Sequence, residues 1–246
     1  MTAIPAATLI VMRDRADGPP DLLTVTRAKG MAFAGGAIVF PGGRVDAADE
    51  AAAVNHQADD AAFRIAAIRE TLEESGIPAA LDPFPALHLA HHLQDALHGG
   101  SPLDALLSNA GLSLTLDALV PFTRWKPAFK HARVFDTLFY LARAPEGDWQ
   151  PRPQEGECES ADWLSAADAL ERIERGAASA IFPTKRNLER LARFASFDEA
   201  VADAARHPLT LITPWIEQRG GEDHVCIPEG LGYPVTSEPL ATAFRA

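Results

Sequence analysis

Cysteine and positive charge are both scarce in this chain of 246 residues. Its two cysteines, Cys158 and Cys226, do not form a CxxC pair, so the sequence supports neither a disulfide framework nor a thiolate zinc site. We therefore expect a reducing compartment, the cytoplasm. Lys and Arg number 22 against 34 Asp and Glu, and the formal net charge of -12 argues against nonspecific binding to nucleic acid or an anionic membrane. Binding an anionic substrate would therefore require local basic groups or a metal ion.

Long apolar runs are absent as well. No stretch approaches the roughly 18 apolar residues of a membrane-spanning helix, and no basic region precedes the short apolar run ATLIVM near the start. Hydrophobic residues still make up 47% of the chain, enough to bury a sizeable core. We expect a globular protein without a membrane partner.

The apolar pattern changes between strand and helix periodicity along the chain. Strands are predicted at 7–12, 22–26, 119–125 and 133–144, at a segment that delivers Gly42 and Gly43 at a turn, and around Gly220 and Gly221. Helices are predicted over 59–75, twice within 84–119, after an N-cap at Ser165, and through 187–194 and 197–207. Because 84–119 interrupts the strand pattern, we interpret it as an inserted helical cap.

The segment RETLEESG crowds carboxylates onto the end of a predicted helix. Glu70, Glu73 and Glu74 share one helical face, and Gly76 is expected to end the helix at its carbonyl end, where negative charge is disfavoured. Arg69 can neutralise one carboxylate. The others need a raised pKa or a divalent cation that prefers oxygen, Mg²⁺ or Mn²⁺; a solvated acidic face is the alternative.

Two segments resemble the halves of the Nudix box, G-x5-E-x7-R-E-U-x-E-E-x-G-U, where U is a bulky aliphatic residue. RETLEESGI departs from the second half only at Thr71, which takes a U position, and in PGGRVDAAD an acid, Asp49, stands where the first Glu is expected. Nineteen residues instead of seven separate Asp49 from Arg69, an insertion of twelve. With FPGG upstream and RVFDT downstream, the chain is similar to the insertion-bearing branch that includes coenzyme A diphosphatases.

This resemblance implies the fold class and the domain organisation. We expect an α+β protein, an α/β/α sandwich with a mixed central sheet, carrying the helical cap and a C-terminal helical extension. The Nudix domain would cover residues 1–195, with the box insertion at about 50–61 and the helical insertion at about 84–119. Residues 196–246 would pack on the same domain.

The resemblance also implies roles for individual residues. Glu70 and Glu73 are the expected catalytic carboxylates, although the general base could also lie outside the box. Mg²⁺ or Mn²⁺ is the implied cofactor, and its expected ligands are Glu70, Glu73, Glu74, the carbonyl of Gly43, and Glu157. Glu155 and Glu159 compete with Glu157, and an exposed acidic loop is the alternative for all three.

Substrate contacts are expected from basic and aromatic residues. Arg27, Arg44 and Arg133 suit phosphate oxygens, although a surface charge or a structural ion pair is the favoured alternative for each one alone. Trp125 could stack on an adenine, although aromatic residues at strand starts usually belong to the core. In HLAHH, the histidines at 88, 91 and 92 share a helical face, but no Cys or carboxylate completes a transition-metal site, so an ordinary amphipathic helix is favoured.

The implied partner is a small nucleoside diphosphate derivative. Coenzyme A or acyl-coenzyme A is the leading substrate; NAD(H), nucleotide sugars and dinucleoside polyphosphates are alternatives with the same chemistry. A catalytically silent nucleotide-binding module is the alternative from another class. Homodimerisation is left open by the sequence.

Overall fold

The computed structural model describes residues 3–31, 34–127 and 134–243. In these ranges the strands are β1 (Ile4–Arg13), β2 (Asp21–Arg27), β3 (Ile38–Val39), β4 (Gly42–Arg44), β5 (Leu81–Asp82), β6 (Ser113–Leu114), β7 (Val120–Trp125), β8 (Phe135–Arg143), β9 (Cys158–Ser165), β10 (Leu211–Ile212), β11 (Trp215–Arg219), β12 (Glu222–Cys226) and β13 (Ser237–Pro239). The helices are α1 (Ala47–Ala53), α2 (Ala61–Ser75), α3 (Leu87–His98), α4 (Leu103–Ala110), α5 (Ala166–Glu174), α6 (Phe182–Leu191), α7 (Phe197–Arg206) and α8 (Leu240–Ala243). None of the helices found in these ranges is both long and apolar enough to cross a bilayer.

A mixed sheet forms the centre of the molecule. Its strand order is β10-β7-β8-β1-β2-β3, with β4 paired to β1 and β9 paired to β2. Strand β1 is parallel to β8 along nearly its whole length, and its other edge is shared between β4 and β2. Because β1 pairs with β2 only at Met12 and Arg13, these two strands separate toward the start of β1. The chain segment with β3 and β4 lies where they separate.

Apolar residues cover both faces of this sheet. Along β1, Leu9 and Val11 join one buried cluster with α2, while Ile10 and Met12 join another with α5, α6 and α7. This alternation follows from the two-residue period of a strand. The prediction of an α/β/α sandwich around a mixed sheet is confirmed.

Several local signals behave as the sequence predicts. Helix α2 ends at Gly76, which adopts a left-handed conformation with φ of 69°. Ser165 caps α5 by accepting a hydrogen bond from the Asp168 N–H at 3.1 Å. One detail differs from the prediction, because Gly42 and Gly43 lie in the short strand β4 rather than in a turn.

The segment predicted as a helical cap contains α3 and α4. Both helices pack against the cluster around α2, through Leu93 and Leu97 of α3 and Leu103 and Leu107 of α4. The C-terminal part packs on the opposite cluster, to which α7, β12 and α8 contribute Phe197, Val225 and Ala243.

Candidate active site

An ion pair between α1 and α2 organises the acidic end of α2. Asp49 is 2% exposed, and its carboxylate accepts hydrogen bonds from Arg69 Nε at 3.0 Å and Nη2 at 2.9 Å. It also accepts the Asp46 N–H at 3.0 Å as part of a capping box at the start of α1. The acid that stands in the first-Glu position of the box thus fixes the box arginine, despite the insertion between them.

Arg69 then reaches two of the clustered glutamates. Its Nη1 lies 3.0 Å from Glu70 Oε1 and 3.3 Å from Glu73 Oε2, and its Nη2 donates to the Arg44 carbonyl at 3.0 Å. One guanidinium therefore links α1, α2 and β4. A partly buried arginine with this many acceptors holds its neighbours in a defined geometry.

The glycine pair of β4 lies directly against the carboxylates. A Cβ atom at Gly43 would stand 2.3 Å from Glu70 Oε1, and one at Gly42 would stand 2.5 Å from the Ala7 carbonyl. The Gly42 N–H donates to Glu74 Oε2 at 3.0 Å. A side chain at Gly43 would therefore displace the Glu70 carboxylate, and one at Gly42 would clash with the backbone of β1.

Burial raises the pKa of all three glutamates. The pKa of Glu70 rises to about 7 mainly because its carboxyl is buried, although the Arg69 charge opposes the shift. The pKa of Glu74 rises to about 8 through burial and then through the charge of Glu70, and that of Glu73 is raised by burial. Without a cation, Glu70 and Glu74 therefore hold protons for part of the time near neutral pH, as expected for crowded carboxylates.

A cavity of about 1080 Å³ opens beside this cluster. Glu70, Glu73, Glu74, Gly43 and Glu157 all line it, and so do Arg27 and Arg44. Predicted residue Arg133 lies outside the described residues. The candidate carboxylates and arginines among the described residues thus line the same cavity.

Glu157 differs from its two acidic neighbours in the same loop. Its charge raises the pKa of Glu73 and Glu74, which indicates that it lies close to both. By contrast, the Glu159 carboxylate accepts the Lys29 N–H at 3.2 Å, and Glu155 is exposed and not part of the cavity lining. Of the three acids, Glu157 has the position suited to the metal-ligand assignment, which stays a prediction.

Trp125 requires a correction, because its ring belongs to the core. It is 0% exposed, it packs edge-on against Phe182 and Tyr233, and its N–H donates to the Tyr233 hydroxyl at 3.0 Å. A fully buried ring offers no face to an adenine, so we withdraw the stacking assignment although Trp125 borders the cavity.

The described residues offer oxygen donors to the cation that the box implies. Across 3–31, 34–127 and 134–243, no group of three His, Cys, Asp or Glu side chains converges tightly enough to hold a metal as placed. The chemistry of the donors nevertheless fits Mg²⁺, because buried glutamates with raised pKa values and a close glycine strand offer oxygen atoms alone. The histidines of α3 are not part of this wall.

The C-terminal end of α2 has a cap that the sequence did not reveal. Gln94 of α3 is 3% exposed, and its Nε2 donates to the Glu73 carbonyl at 3.0 Å and to the Arg152 carbonyl at 2.9 Å. The N–H groups of Arg152 and Gln154 donate to the carbonyls of Ser75 and Glu74. The loop that leads to Glu157 is therefore tied to the helix that carries Glu73 and Glu74. A lone glutamine on an amphipathic helix gives no sequence signal for this role.

We expect Gln94→Leu to lower the free energy of unfolding by about 1–3 kcal/mol, because the carbonyls of Glu73 and Arg152 lose their buried donor. Urea denaturation measures the effect. Gln57→Leu makes the same change at an exposed position and should alter stability by less than about 0.5 kcal/mol. Equal stability of the two variants would contradict the capping role.

No protein-family model matches the chain. Among solved structures, a Nudix hydrolase from Alicyclobacillus acidocaldarius is 32% identical over 82% of this chain and 96% of its own length, with a TM-score of 0.74. The Nudix domain of Shewanella oneidensis NrtR, solved with ADP-ribose, is 12% identical over 78% of this chain and 88% of its own, with a TM-score of 0.47.

Proposed function

This chain belongs to the Nudix hydrolases, enzymes that cleave the diphosphate of a nucleoside diphosphate linked to another moiety, and we propose that its substrate is coenzyme A or an acyl derivative. The observation that carries the proposal is the cavity of about 1080 Å³, which joins the carboxylate cluster to an apolar wall with Phe40, Phe135 and Phe139. This volume lies at the upper end of the range for small-molecule sites. A long substrate with a charged diphosphate and a less polar arm suits such a space.

In this proposal, the carboxylates of Glu70, Glu73, Glu74 and Glu157 and the Gly43 carbonyl hold Mg²⁺ or Mn²⁺. The cation, when bound, neutralises diphosphate charge and lowers the pKa of the attacking water. Arg27 and Arg44 line the same cavity and offer guanidinium groups to phosphate oxygens. Diphosphate and cation would then meet at the wall formed by β4 and α2.

Glu70 and Glu73 are the proposed catalytic residues. When the cation is bound, an ionised Glu70 or Glu73 carboxylate could accept a proton from the attacking water through an oxygen that does not hold the cation. Arg69 contacts both carboxylates and fixes where they point. The box arginine would therefore position the base, while Asp49 positions the arginine.

A substrate panel tests the specificity. The chain would be incubated with Mg²⁺ and coenzyme A, acetyl-coenzyme A, NADH, a nucleotide sugar or a dinucleoside polyphosphate, and the products would be identified by mass spectrometry. We expect adenosine 3',5'-bisphosphate and phosphopantetheine from coenzyme A, with a kcat/KM at least about tenfold above the other classes. No cleavage of coenzyme A at millimolar concentration would remove the proposal, and no cleavage of any substrate would favour a silent module.

We expect Mg²⁺ to bind roughly 500-fold more tightly at pH 8 than at pH 6. The cation must displace protons from Glu70 and Glu74, whose pKa values are raised to about 7 and about 8. Isothermal titration calorimetry in two buffers with different ionisation enthalpies measures affinity and released protons. An affinity independent of pH, with no proton release, would contradict this.

The same shifts set the sign of the stability change with pH. Both folded-state pKa values lie above the ordinary value of 4.5, so the stability that these acids contribute is present below about pH 4.5 and is lost as the pH rises through 7 to 8. In the absence of metal, the contribution of these two acids to the Tm therefore falls as the pH rises through 7 to 8. Mg²⁺ should raise the Tm more at pH 8 than at pH 6.

A further inference from the structure

The start of α6 forms a second wall of the catalytic cavity. Six consecutive residues, 179–184, line the cavity and cover the approach loop and the first turn of the helix. The Ile38 N–H donates to the Ser179 carbonyl at 2.8 Å, which ties this loop to the central sheet. The helix therefore has a fixed N-terminus facing the substrate space.

This N-terminus has N–H groups without acceptors. The N-cap residue is Ile181, which has no side chain to cap the helix, and the first α-helical bond runs from the Lys185 N–H to the Ile181 carbonyl at 3.1 Å. Within the part of the chain that the structure describes, the N–H groups of Phe182 and Thr184 have no hydrogen-bond partner. Free N–H groups and the helix dipole favour an anion at such a position.

The Thr184 side chain gives an independent indication of a ligand. It is 3% exposed and lines the cavity, yet its hydroxyl has no hydrogen-bond partner among the residues described. The Ser179 hydroxyl, half-buried in the same lining, likewise has no partner there. Beside the two free N–H groups, the Thr184 hydroxyl offers a third donor at the cavity lining, and the half-buried Ser179 hydroxyl belongs to the same lining. Such a group of donors suits an acceptor-rich ligand.

We infer that the N-terminus of α6, with Thr184 and Ser179, binds a phosphate monoester of the substrate that is distinct from the diphosphate under attack. This inference rests on the proposed function and deepens it. The carboxylates line the same cavity elsewhere, from β4 and α2, and Phe40 and Phe139 line the cavity as well. A substrate with its diphosphate at the carboxylates and a phosphate monoester at the start of α6 would span the cavity between these two walls. Coenzyme A has such a group on its ribose, whereas dephospho-coenzyme A lacks only that group.

The test compares these two compounds with the full chain and Mg²⁺. We expect wild-type kcat/KM to favour coenzyme A over dephospho-coenzyme A by about tenfold or more, because a hydrogen bond to a charged group is among the stronger ones. Thr184→Val, which keeps the shape, should lower this ratio by about tenfold, and Thr184→Ser should restore it. Thr115→Val makes the same change on an exposed residue outside the cavity lining and should keep the wild-type ratio.

Two results would overturn the inference while leaving the proposed function in place. One is a wild-type enzyme that cleaves both compounds equally well. The other is a Thr184→Val variant that loses activity on both compounds by the same factor, because a merely structural residue would behave in that way.

A second measurement covers the case in which coenzyme A is not cleaved at all. Adenosine 3',5'-bisphosphate and AMP would compete against whichever substrate the chain hydrolyses. Tighter inhibition by the bisphosphate, reduced in Thr184→Val, would support the subsite even though the proposed substrate had failed; equal inhibition would overturn it. Inorganic phosphate forms a third arm, and its binding in the low millimolar range with loss of the bisphosphate preference would identify a site for free phosphate instead.

Discussion

Glu74→Gln is expected to lower turnover by about 100-fold or more while the chain stays folded. Glutamine keeps the size of the side chain and an oxygen that accepts the Gly42 N–H, now 3.0 Å from Glu74 Oε2. What it removes is a negative charge that is 2% exposed and faces the charge of Glu70. A cation held between these carboxylates would lose an anionic ligand. Turnover at saturating substrate and Mg²⁺ affinity measure the effect together.

The stability of this variant separates a lost ligand from a lost fold. Burial raises the pKa of Glu74 to about 8, so a neutral side chain at this position removes a desolvation cost at high pH. The metal-free Tm of Glu74→Gln should equal or exceed that of the wild type at pH 8. Glu155→Gln makes the same change on an exposed acid of the Glu157 loop and should keep full turnover. Unchanged turnover in Glu74→Gln would contradict the assignment of Glu74 as a ligand of the cation.

Much of the fold was predictable because its signals are local. The two-residue alternation of β1, the glycine that ends α2 and the serine that caps α5 each depend on a few neighbouring residues. The sequence pattern predicts the start of α6 too late in the chain, at Asn187 instead of Phe182, although Pro183 in its first turn is a usual start signal. That error hid the second wall of the cavity.

The site was predictable where the box pattern joins residues that are distant in sequence. The pattern predicts that Gly43, Glu70 and Glu74 lie close together, and all three line one cavity. Side-chain environment was harder to predict. Trp125 and Gln94 depend on what packs around them: one ring is closed off by Phe182 and Tyr233, and one amide joins two carbonyls from separate segments. Nothing in the neighbouring sequence encodes such contacts.

Asp49→Ala is expected to lower the free energy of unfolding by about 3 kcal/mol, because it leaves the Arg69 guanidinium buried without its two-point partner. For a chain of this size that corresponds to a Tm lower by roughly 6–10 °C. Arg69 would also be free to pair more closely with Glu70 and Glu73, so Mg²⁺ should bind more weakly in the variant. Thermal denaturation and calorimetry measure the two effects.

Glu50→Ala is the matched control for this change, since Glu50 is exposed and adjacent on α1. It should stay within about 0.5 kcal/mol of the wild type. Asp49→Asn keeps the side-chain volume and one acceptor oxygen but removes the charge, so its stability should fall between the other two. If Asp49→Ala were as stable as Glu50→Ala and bound Mg²⁺ equally well, the pairing of Asp49 with Arg69 would not organise the site. The acid at the start of the interrupted box would then have no structural role, and the insertion would have separated it from its function.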